Sequence, residues 1–272
     1  MEQMKLLTEW EYTPAKLNKG YTRQFLSVDL GKADGAFTCE THPISDEMVE
    51  KFTGGRGFGL RILWDKVTSK SKWNDPENAM VISGGPLSGT TQYPGMGKFY
   101  AVFLSPLTQQ TYNSNAGGYF GPFLKAAGFD ALSVSGKAQE DVVVYIDGDE
   151  GAVRIFEWAP ENRNSYTVTE ALHEFFAENE EDKRNISVVS AGEAAEHSWW
   201  GAMNVSFYDP RRALPRLKQA GRGGGGTVLR DKKILALVVK KKGFSGTENA
   251  PADLSTLQKV GTKLHREIRQ ND

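Results

Sequence analysis

The segment Ala220–Gly226 reads AGRGGGG, so several consecutive backbone N–H groups have no side chain beside them. Backbone of this kind can form a concave nest that binds the oxygens of a phosphate or another anion. Nearby cations can add charge-assisted hydrogen bonds to such an anion. These cations are Arg211, Arg212, Arg216, Lys218 and Arg222. The segment therefore predicts an anion-binding loop, and a mobile surface loop is the alternative.

The common nucleotide-binding fingerprints do not fit this loop. A P-loop would close with Gly-Lys-Ser or Gly-Lys-Thr, and neither triplet follows Gly226. A dinucleotide fingerprint would lead into a helix, whereas Thr227 and Val228 predict a strand. A second glycine segment, Asn113–Phe120, places side-chain amides and bare backbone ahead of an expected helix. Its alternative is ordinary turn and cap chemistry.

The composition restricts any anion site to a local patch. The chain has 33 lysines and arginines against 34 aspartates and glutamates, so no general field attracts nucleic acid or an acidic membrane. With 272 residues, 39% of them hydrophobic, it predicts a globular protein with one large core or two small ones. No apolar run reaches bilayer length and the N-terminal stretch lacks a secretory pattern, which predicts a cytoplasmic protein without a membrane span.

The side chains that usually bind metals are sparse. Cys39 is the single cysteine, so the chain forms no internal disulfide and does not hold an iron–sulfur cluster through four of its own thiolates. We expect Cys39 to be a half-buried strand residue. The histidines lack metal-ligand spacing, and most are expected at the surface. They are His42, His173, His197 and His265.

The elements that hold the loops are predicted to be mostly strands. Residues 21–40 predict a hairpin whose turn runs from Gly31 to Gly35. Further runs of β-forming residues between turn signals predict antiparallel sheets. These runs are Ala79–Ser83, Lys98–Leu104, Ala131–Ser135, Val142–Asp147, Val153–Trp158, Ile186–Ser190 and Ile234–Lys240.

The predicted helices are fewer and mostly short. Ser45 predicts an N-cap, and after an interruption by glycines the helical spacing resumes over Leu60–Val67. Tyr119–Ala127 predicts a short helix, and the capping box Thr167–Glu170 predicts the start of another. A last helix after Pro251 carries an apolar stripe, which docks on its own domain or meets a partner chain or a continuation. The stripe is Leu257, Val260, Leu264 and Ile268.

The glycine motifs occur in an order that is more specific than any one of them. GGRGFG, GPLSGT, SPLT, NAGGYFG, LKAAGFDA and GKA are followed by AGRGG and a strand. In order and spacing they resemble the N-terminal domain of the aldehyde:ferredoxin oxidoreductase family, over roughly residues 20–243. The repeated Gly-Arg-Gly at 55–57 and 221–223 also suggests two halves that face a common centre.

The resemblance implies an α+β fold in which two antiparallel β-sheets, related by a pseudo-two-fold axis, form a saddle with a few short helices. In that family the saddle carries two pterins, whose dithiolenes chelate tungsten and whose phosphates are bridged by Mg²⁺. Glycines then have a purpose, because a flat ligand lying along a sheet leaves no room for side chains. We expect an N-terminal extension at 1–20, a pterin-binding domain at 21–243, and a linker with a helical segment or partner-docking helix at 244–272.

Carried across residue by residue, the resemblance implies a cofactor site and no catalytic acid or base in this chain. Lys98 and Lys218 stand where the family has pterin-contacting arginines, which keeps the charge but loses the bidentate fork. Asn115 and the backbone carbonyl of Gln219 match the family's magnesium region, and Mg²⁺ prefers such oxygen donors. The expected cofactor-binding residues are Lys98, Asn115, Ala116, Gly117, Gly118, Lys218, Gln219, Ala220, Gly221, Arg222 and Gly223.

The resemblance implies oxidation of a small aldehyde to a carboxylic acid. Electrons would pass from a bis-pterin tungsten or molybdenum centre to a [4Fe-4S] cluster and a ferredoxin-like protein. The cluster is expected on a cysteine-bearing partner chain or on a missing domain, so the chain is a subunit of a hetero-oligomer or a piece of a longer enzyme. The alternatives are a same-family reductase of an aromatic thioester or other substrate, a pterin carrier or assembly protein, and a plain β-rich scaffold.

Overall fold

The computed structural model describes residues 4–31 and 37–271, and within these ranges it has two β-sheets and six α-helices. The predicted α+β fold class is confirmed. The strands are β1 Lys5–Glu11, β2 Gln24–Asp29, β3 Thr38–Pro43, β4 Met80–Ser83, β5 Phe99–Leu104, β6 Thr111–Ala116, β7 Ala131–Ser135, β8 Val142–Asp147, β9 Ala152–Glu157, β10 Ile186–Ser190, β11 Met203–Asp209, β12 Leu214–Ala220 and β13 Ile234–Lys240. The helices are α1 Asp46–Phe52, α2 Arg56–Trp64, α3 Phe120–Ala126, α4 Ser165–Phe176, α5 Gly225–Asp231 and α6 Leu254–Asn271.

Each sheet is antiparallel except at one pair of strands. The six-stranded sheet has the order β3-β2-β7-β4-β5-β6, and the seven-stranded sheet has the order β1-β9-β8-β13-β10-β11-β12. The sheets, predicted to be antiparallel, are mixed at one pair each, because β2 runs parallel to β7 and β8 runs parallel to β13. The later strand of each pair follows a crossover through α3 or α5, and a crossover connection allows two neighbouring strands to run in the same direction.

The same succession of elements builds both sheets. One half is β2, β3, α1 with α2, β4, β5, β6, α3 and β7, and the other is β8, β9, α4, β10, β11, β12, α5 and β13. Corresponding strands hold corresponding places in the two sheets, as the predicted pseudo-two-fold relation requires, and β1 is added at one edge. The ends of β6 and β12 are therefore equivalent, which relates Ala116 to Ala220 and Asn115 to Gln219.

This equivalence corrects the suggestion drawn from the repeated Gly-Arg-Gly. Gly221 follows β12 as Gly117 follows β6, so the two turns after the edge strands are the counterparts. The early motif at 55–57 instead lies at the start of α2, with Gly55 as its N-cap residue. The structural repeat is thus seen in the order of strands and helices. The two Gly-Arg-Gly triplets are similar in sequence but do not occupy equivalent positions in the two halves.

The chain after β12 enters a helix, so the predicted strand at Thr227 and Val228 is wrong. Both residues lie in α5. Gly223 and Gly224 have left-handed φ angles of 77° and 76°, which turn the chain away from the strand direction. The N–H of Gly226 then donates to the carbonyl of Gly201 over 2.8 Å. These tertiary contacts override the local β propensity of a Thr-Val pair.

The main core lies between the two sheets and includes α3 and α5. Leu26 of β2, Val144 of β8, Phe120 of α3 and Leu229 of α5 are all fully buried in it. The outer face of the six-stranded sheet is covered by α2, and that of the seven-stranded sheet by α4. Helix α4 begins earlier than its predicted capping box, because the side chain of Asn164 caps it.

The terminal segments add to this core structure. Strand β1 pairs with β9 at the outer edge of the seven-stranded sheet. Helix α6 lies against its own chain through the buried residues Leu257 and Gly261, while Val260 and Ile268 of its stripe stay 42% and 48% exposed. The hairpin of β2 and β3 is as predicted, although most of its turn lies outside the described residues. Across the described ranges, no helix has the length and apolar character needed to span a bilayer.

Candidate functional site

The edge strands β6 and β12 bring the two predicted glycine segments together. The N–H of Arg222 donates to Ser114 Oγ over 3.2 Å, and Ser105 Oγ donates to the carbonyl of Gly223 over 2.7 Å. Each hydrogen bond joins one half of the fold to the other. The turns after β6 and β12 therefore lie at a single junction between the two sheets, although they are far apart in the sequence.

Two lysines that were predicted to bind the cofactor occupy different parts of this region. A Cβ built on Gly117 would lie 3.6 Å from Lys218 Nζ, so a cation of one half stands beside the glycine turn of the other. The same Nζ lies 5.1 Å from the ring centroid of Phe207, which is within the range of a cation–π contact. Lys98 Nζ donates to Asn115 Oδ1 over 3.1 Å, which joins two more predicted residues.

The predicted residues differ in how much of each is accessible. Ala116 and Ala220 are 2% and 0% exposed and anchor the ends of β6 and β12 in the core. Gly117 and Gly118 are partly exposed, and Gly223 is buried. The rest of the predicted set faces solvent. These exposed residues are Lys98, Asn115, Lys218, Gln219, Gly221 and Arg222.

Two glycines of the segment Ala220–Gly226 differ in their surroundings. A Cβ on Gly223 would overlap the ring of Tyr112, and the φ of Gly223 is left-handed, so this glycine is required by the fold itself. A Cβ on Gly221 would meet no protein atom within 4 Å. The space beside Gly221 is open, and the fold alone does not explain a glycine there. Open space beside a glycine of the predicted anion-binding loop leaves room for a ligand that approaches the backbone.

The predicted magnesium region offers neutral oxygens rather than carboxylates. In the described part of the chain no cluster of three or more His, Cys, Asp or Glu side chains is placed to hold a metal. Gln219 Nε2 donates to Asn204 Oδ1 over 3.4 Å, and Asn115 Oδ1 accepts from Lys98. An Mg²⁺ ion here would need phosphate oxygens for much of its coordination. The donor set therefore suits a metal that arrives with a phosphorylated ligand.

A cleft of ≈ 500 Å³ opens beside Lys98, between the start of α2 and the loop after β4. Its lining is mostly apolar, with Arg56 and Lys98 as its cationic side chains and Tyr100 as its aromatic side chain. A Cβ on Gly85 or Gly95 would meet no protein atom within 4 Å, so these wall positions also face open space. The cleft fits a flat ring system that carries an anionic group.

Arg56 and Tyr100 were not among the predicted site residues. Two sequence features could have identified them. Arg56 lies inside the motif GGRGFG, and Tyr100 lies two residues after Lys98, on the strand that pairs with Asn115. Lys98 lies directly before β5, and strand alternation places it on the same side of the chain as Tyr100. Only the packing of α2 onto that face shows that the two enclose a cleft.

Several buried polar groups have structural roles. The prediction that the histidines lie mostly at the surface is wrong for His173, which is 1% exposed and bonded to Ser206 Oγ and to the carbonyl of Lys183. Burial lowers the pKa of His173 to about 4. Lys125 and Asp130 form a buried ion pair at 2.9 Å within the LKAAGFDA motif. Burial lowers the pKa of Lys125, and its Nζ also donates to the carbonyl of Gly20.

Arg230 of α5 links the late glycine segment to the rest of its half. Its Nη2 lies 2.7 Å from Asp141 and 2.5 Å from Glu196, and its side chain is 1% exposed. Removing one partner of such a buried network leaves an uncompensated charge and is strongly destabilising. The position of α5 behind the glycine turn is therefore held by ion pairs as well as by apolar packing.

Comparison with known proteins finds one family and several relatives. A family model described as the aldehyde ferredoxin oxidoreductase N-terminal domain matches residues 25–241. The chain is 34% identical over 223 residues to the tungsten-containing aldehyde ferredoxin oxidoreductase of Pyrococcus horikoshii, an alignment that covers 81% of this chain and 33% of that protein. It is 31% identical over 232 residues to an aliphatic sulfonate oxidoreductase, WOR-like subunit, of Pyrococcus furiosus, covering 82% of this chain and 35% of that protein.

A solved structure shares the fold. The active site complex BamBC of benzoyl-coenzyme A reductase, in complex with 1,5-dienoyl-CoA, contains a chain that superposes with a TM-score of 0.68 at 28% sequence identity. The match covers 82% of this chain and 31% of that chain. The present chain thus spans about a third of the length of the relatives that it matches.

Proposed function

We propose that this chain, which belongs to the aldehyde ferredoxin oxidoreductase family, is the pterin-binding part of a tungsten-dependent oxidoreductase. The observation that carries the proposal is the junction of β6 and β12. Gly117 and Gly221 hold equivalent positions after these strands, and Lys218 of one half reaches the glycine turn of the other. A site shared by both halves suits a cofactor with two pterins.

Each residue of the proposed site has a role that its chemistry supports. Lys98, Lys218 and Arg222 supply positive charge for the phosphates of the pterins. Gly117 and Gly221 admit a flat ligand close to the backbone. Ala116, Gly118, Ala220 and Gly223 shape the same two turns. Asn115 and the carbonyl of Gln219 supply oxygen donors for Mg²⁺ between the phosphates.

When bound, the tungsten pterin supplies two-electron redox chemistry, and this chain orients it and balances its charge. The overall reaction converts an aldehyde and water into a carboxylic acid, two protons and two electrons. The electrons leave through a [4Fe-4S] cluster, which requires cysteines beyond Cys39 and therefore a partner chain or a further domain. A ferredoxin-like protein is the proposed acceptor. We assign cofactor binding to residues 21–243. We assign helix α6, within residues 244–272, to the docking of a partner chain.

A reductase of an aromatic thioester is the second candidate. It is supported by the similarity to a chain of the active site complex of benzoyl-coenzyme A reductase. The two candidates share the pterin site and differ in substrate. A complex that oxidises an aromatic aldehyde with a dye acceptor supports the first candidate. A complex that instead oxidises or reduces an aromatic thioester supports the second.

The first experiment is anaerobic purification of the native complex, with elemental analysis for tungsten, molybdenum, iron and magnesium and identification of the copurifying chains. We expect tungsten and iron together with a cysteine-bearing partner. A pterin-loaded chain without any such partner would favour the carrier or assembly alternative. A chain that carries neither metal nor pterin after purification from a host that synthesises the cofactor would overturn the proposal.

Replacement of either lysine tests the site directly. Lys98→Ala and Lys218→Ala are expected to lower pterin occupancy, because each loses a charge-assisted contact that is worth about 1–3 kcal/mol when the bound pterin buries it, or roughly 5-fold to 150-fold in affinity. Lys98→Arg and Lys218→Arg should retain the cofactor. Lys263→Ala, on the exposed face of α6 with its side chain 76% exposed, is the matched control. Equal occupancy in all five variants would count against both lysine assignments.

A further inference from the structure

The loop Gly85–Gly97, here called the wall loop, forms one side of the cleft beside Lys98. Gly85, Leu87, Gly95 and Met96 line that cleft. Behind the wall loop lies a second cleft of ≈ 360 Å³, which is bounded by residues of the segment 249–260. The wall loop thus separates two open spaces. Its position depends on whatever holds it from behind.

Asn249 is the principal contact behind the wall loop. Its side-chain amide donates to the carbonyl of Pro86 over 2.9 Å and to the carbonyl of Ser88 over 2.8 Å. The backbone carbonyl of Asn249 accepts a hydrogen bond from the N–H of Gly20 over 3.0 Å. Asn249 is 3% exposed, so these hydrogen bonds are protected from water. One buried amide therefore fixes two carbonyls of the wall loop and ties them to the start of the domain.

Helix α6 and the segment before it add further contacts with the same loop. The N–H of Thr91 donates to the carbonyl of Gly246 over 3.3 Å. A Cβ on Gly89 would lie 2.9 Å from Phe244 Cζ, and a Cβ on Gly261 would overlap the carbonyl oxygen of Gln92. The four residues named here as contacts from the C-terminal side, Phe244, Gly246, Asn249 and Gly261, all follow position 241, where the match to the family model ends.

We infer that the segment 244–261 sets the width of the cleft, with Asn249 as a positioning residue that holds the wall loop through Pro86 and Ser88. Asn249 is not among the residues that line the cleft beside Lys98, and it acts on the cleft through the wall loop. The inference rests on the proposed function only for the identity of the ligand that the cleft receives. The mechanical link between Asn249 and the wall loop stands on the contacts alone.

The test compares amide hydrogen exchange in the full chain and in Asn249→Asp, which loses both amide donors and places carboxylate oxygens against two carbonyls. We expect exchange in peptides covering the wall loop to become about tenfold faster, with exchange in β8 and β13 unchanged. Asn271→Asp is the matched control, since Asn271 donates to a single carbonyl at the exposed end of α6. Unchanged exchange in the wall loop would overturn the inference.

A second variant covers the case in which Asn249→Asp does not fold. Gly261→Ala pushes α6 away from Gln92 from the opposite end of the segment, and the same local increase in exchange is expected. An increase spread evenly over the whole chain in both variants would contradict a positioning role.

Pterin content, measured after purification of each variant from a cofactor-synthesising host, gives the second readout. It should fall in Asn249→Asp and recover in part in Asn249→Ser, which keeps one donor. If the parent chain binds no pterin, the proposed function fails, yet the exchange result still decides the role of Asn249. If pterin is bound but its content is unchanged in Asn249→Asp, the link from the wall loop to the ligand is wrong.

Discussion

Gly221→Ala separates the needs of the fold from those of the cofactor. The space beside Gly221 holds no protein atom within 4 Å of an added Cβ, and its backbone is not left-handed. The protein itself therefore accepts the methyl group. Loss of glycine flexibility from the unfolded chain should even raise the free energy of unfolding, by about 0.4–1 kcal/mol.

The bound cofactor is expected to respond in the opposite way. A methyl group inserted into a close-packed contact costs about 1–3 kcal/mol, which is roughly 5-fold to 150-fold in affinity. The assay is pterin content after anaerobic purification, with the urea unfolding midpoint of the same preparation. We expect an unchanged or slightly higher midpoint together with a clear fall in pterin content.

Gly223→Ala is the matched control, because it lies two positions along the same loop and has the opposite environment. Its left-handed φ and the overlap with Tyr112 predict a loss of at least ~1 kcal/mol in folding stability. Cofactor loss in Gly223→Ala would then accompany a lower unfolding midpoint. If Gly221→Ala retains the wild-type pterin content at an unchanged midpoint, the cofactor does not lie against this turn.

Two further predictions concern buried titratable groups. The pKa of His173 falls from 6.5 to about 4 on folding, so the unfolded chain binds the proton more tightly. The free energy of unfolding therefore decreases by about 3 kcal/mol as the pH falls from above 6.5 towards 4. The free energy of unfolding in urea should differ less between pH 7 and pH 4.5 in His173→Gln than in the parent chain. Equal differences in the two proteins would contradict the prediction. Burial raises the pKa of Cys39 to about 11, so alkylation by iodoacetamide at pH 8 should be at least ~10-fold slower in the native chain than in urea. Equal rates would show that the thiol is accessible.

The buried strands were the part of the fold that local sequence predicted well. The bounds of β7, β8, β10 and β13 agree with the predicted runs, and their residues are buried throughout. Continuous apolar β-forming runs between turn signals suit strands that are covered on both faces. For these strands the local pattern and the tertiary environment favour the same structure.

Strands β6 and β12, which carry the site, were not predicted. Their sequences TYNSNA and LPRLKQA are polar, and the second contains a proline, which is typical of an edge position. Edge strands that face a ligand do not need the apolar alternation by which strands are recognised. Residues 205–217, which precede the glycine loop, belong largely to the hairpin of β11 and β12. The functional region was thus predicted through its glycines and cations, while its strands were missed.

The residue types that bear on function can be read from the sequence alone. They are bare backbone at Gly117 and Gly221, cations at Lys98 and Lys218, and a lone Cys39 that excludes a four-thiolate cluster within the chain. These conclusions need only the chemistry of each residue and its neighbours along the chain. That Lys218 lies beside Gly117 and that Asn249 holds the wall loop are seen only in the folded chain. Contacts between residues so distant in sequence are set by how the two sheets and the C-terminal segment pack, and no local propensity encodes that arrangement.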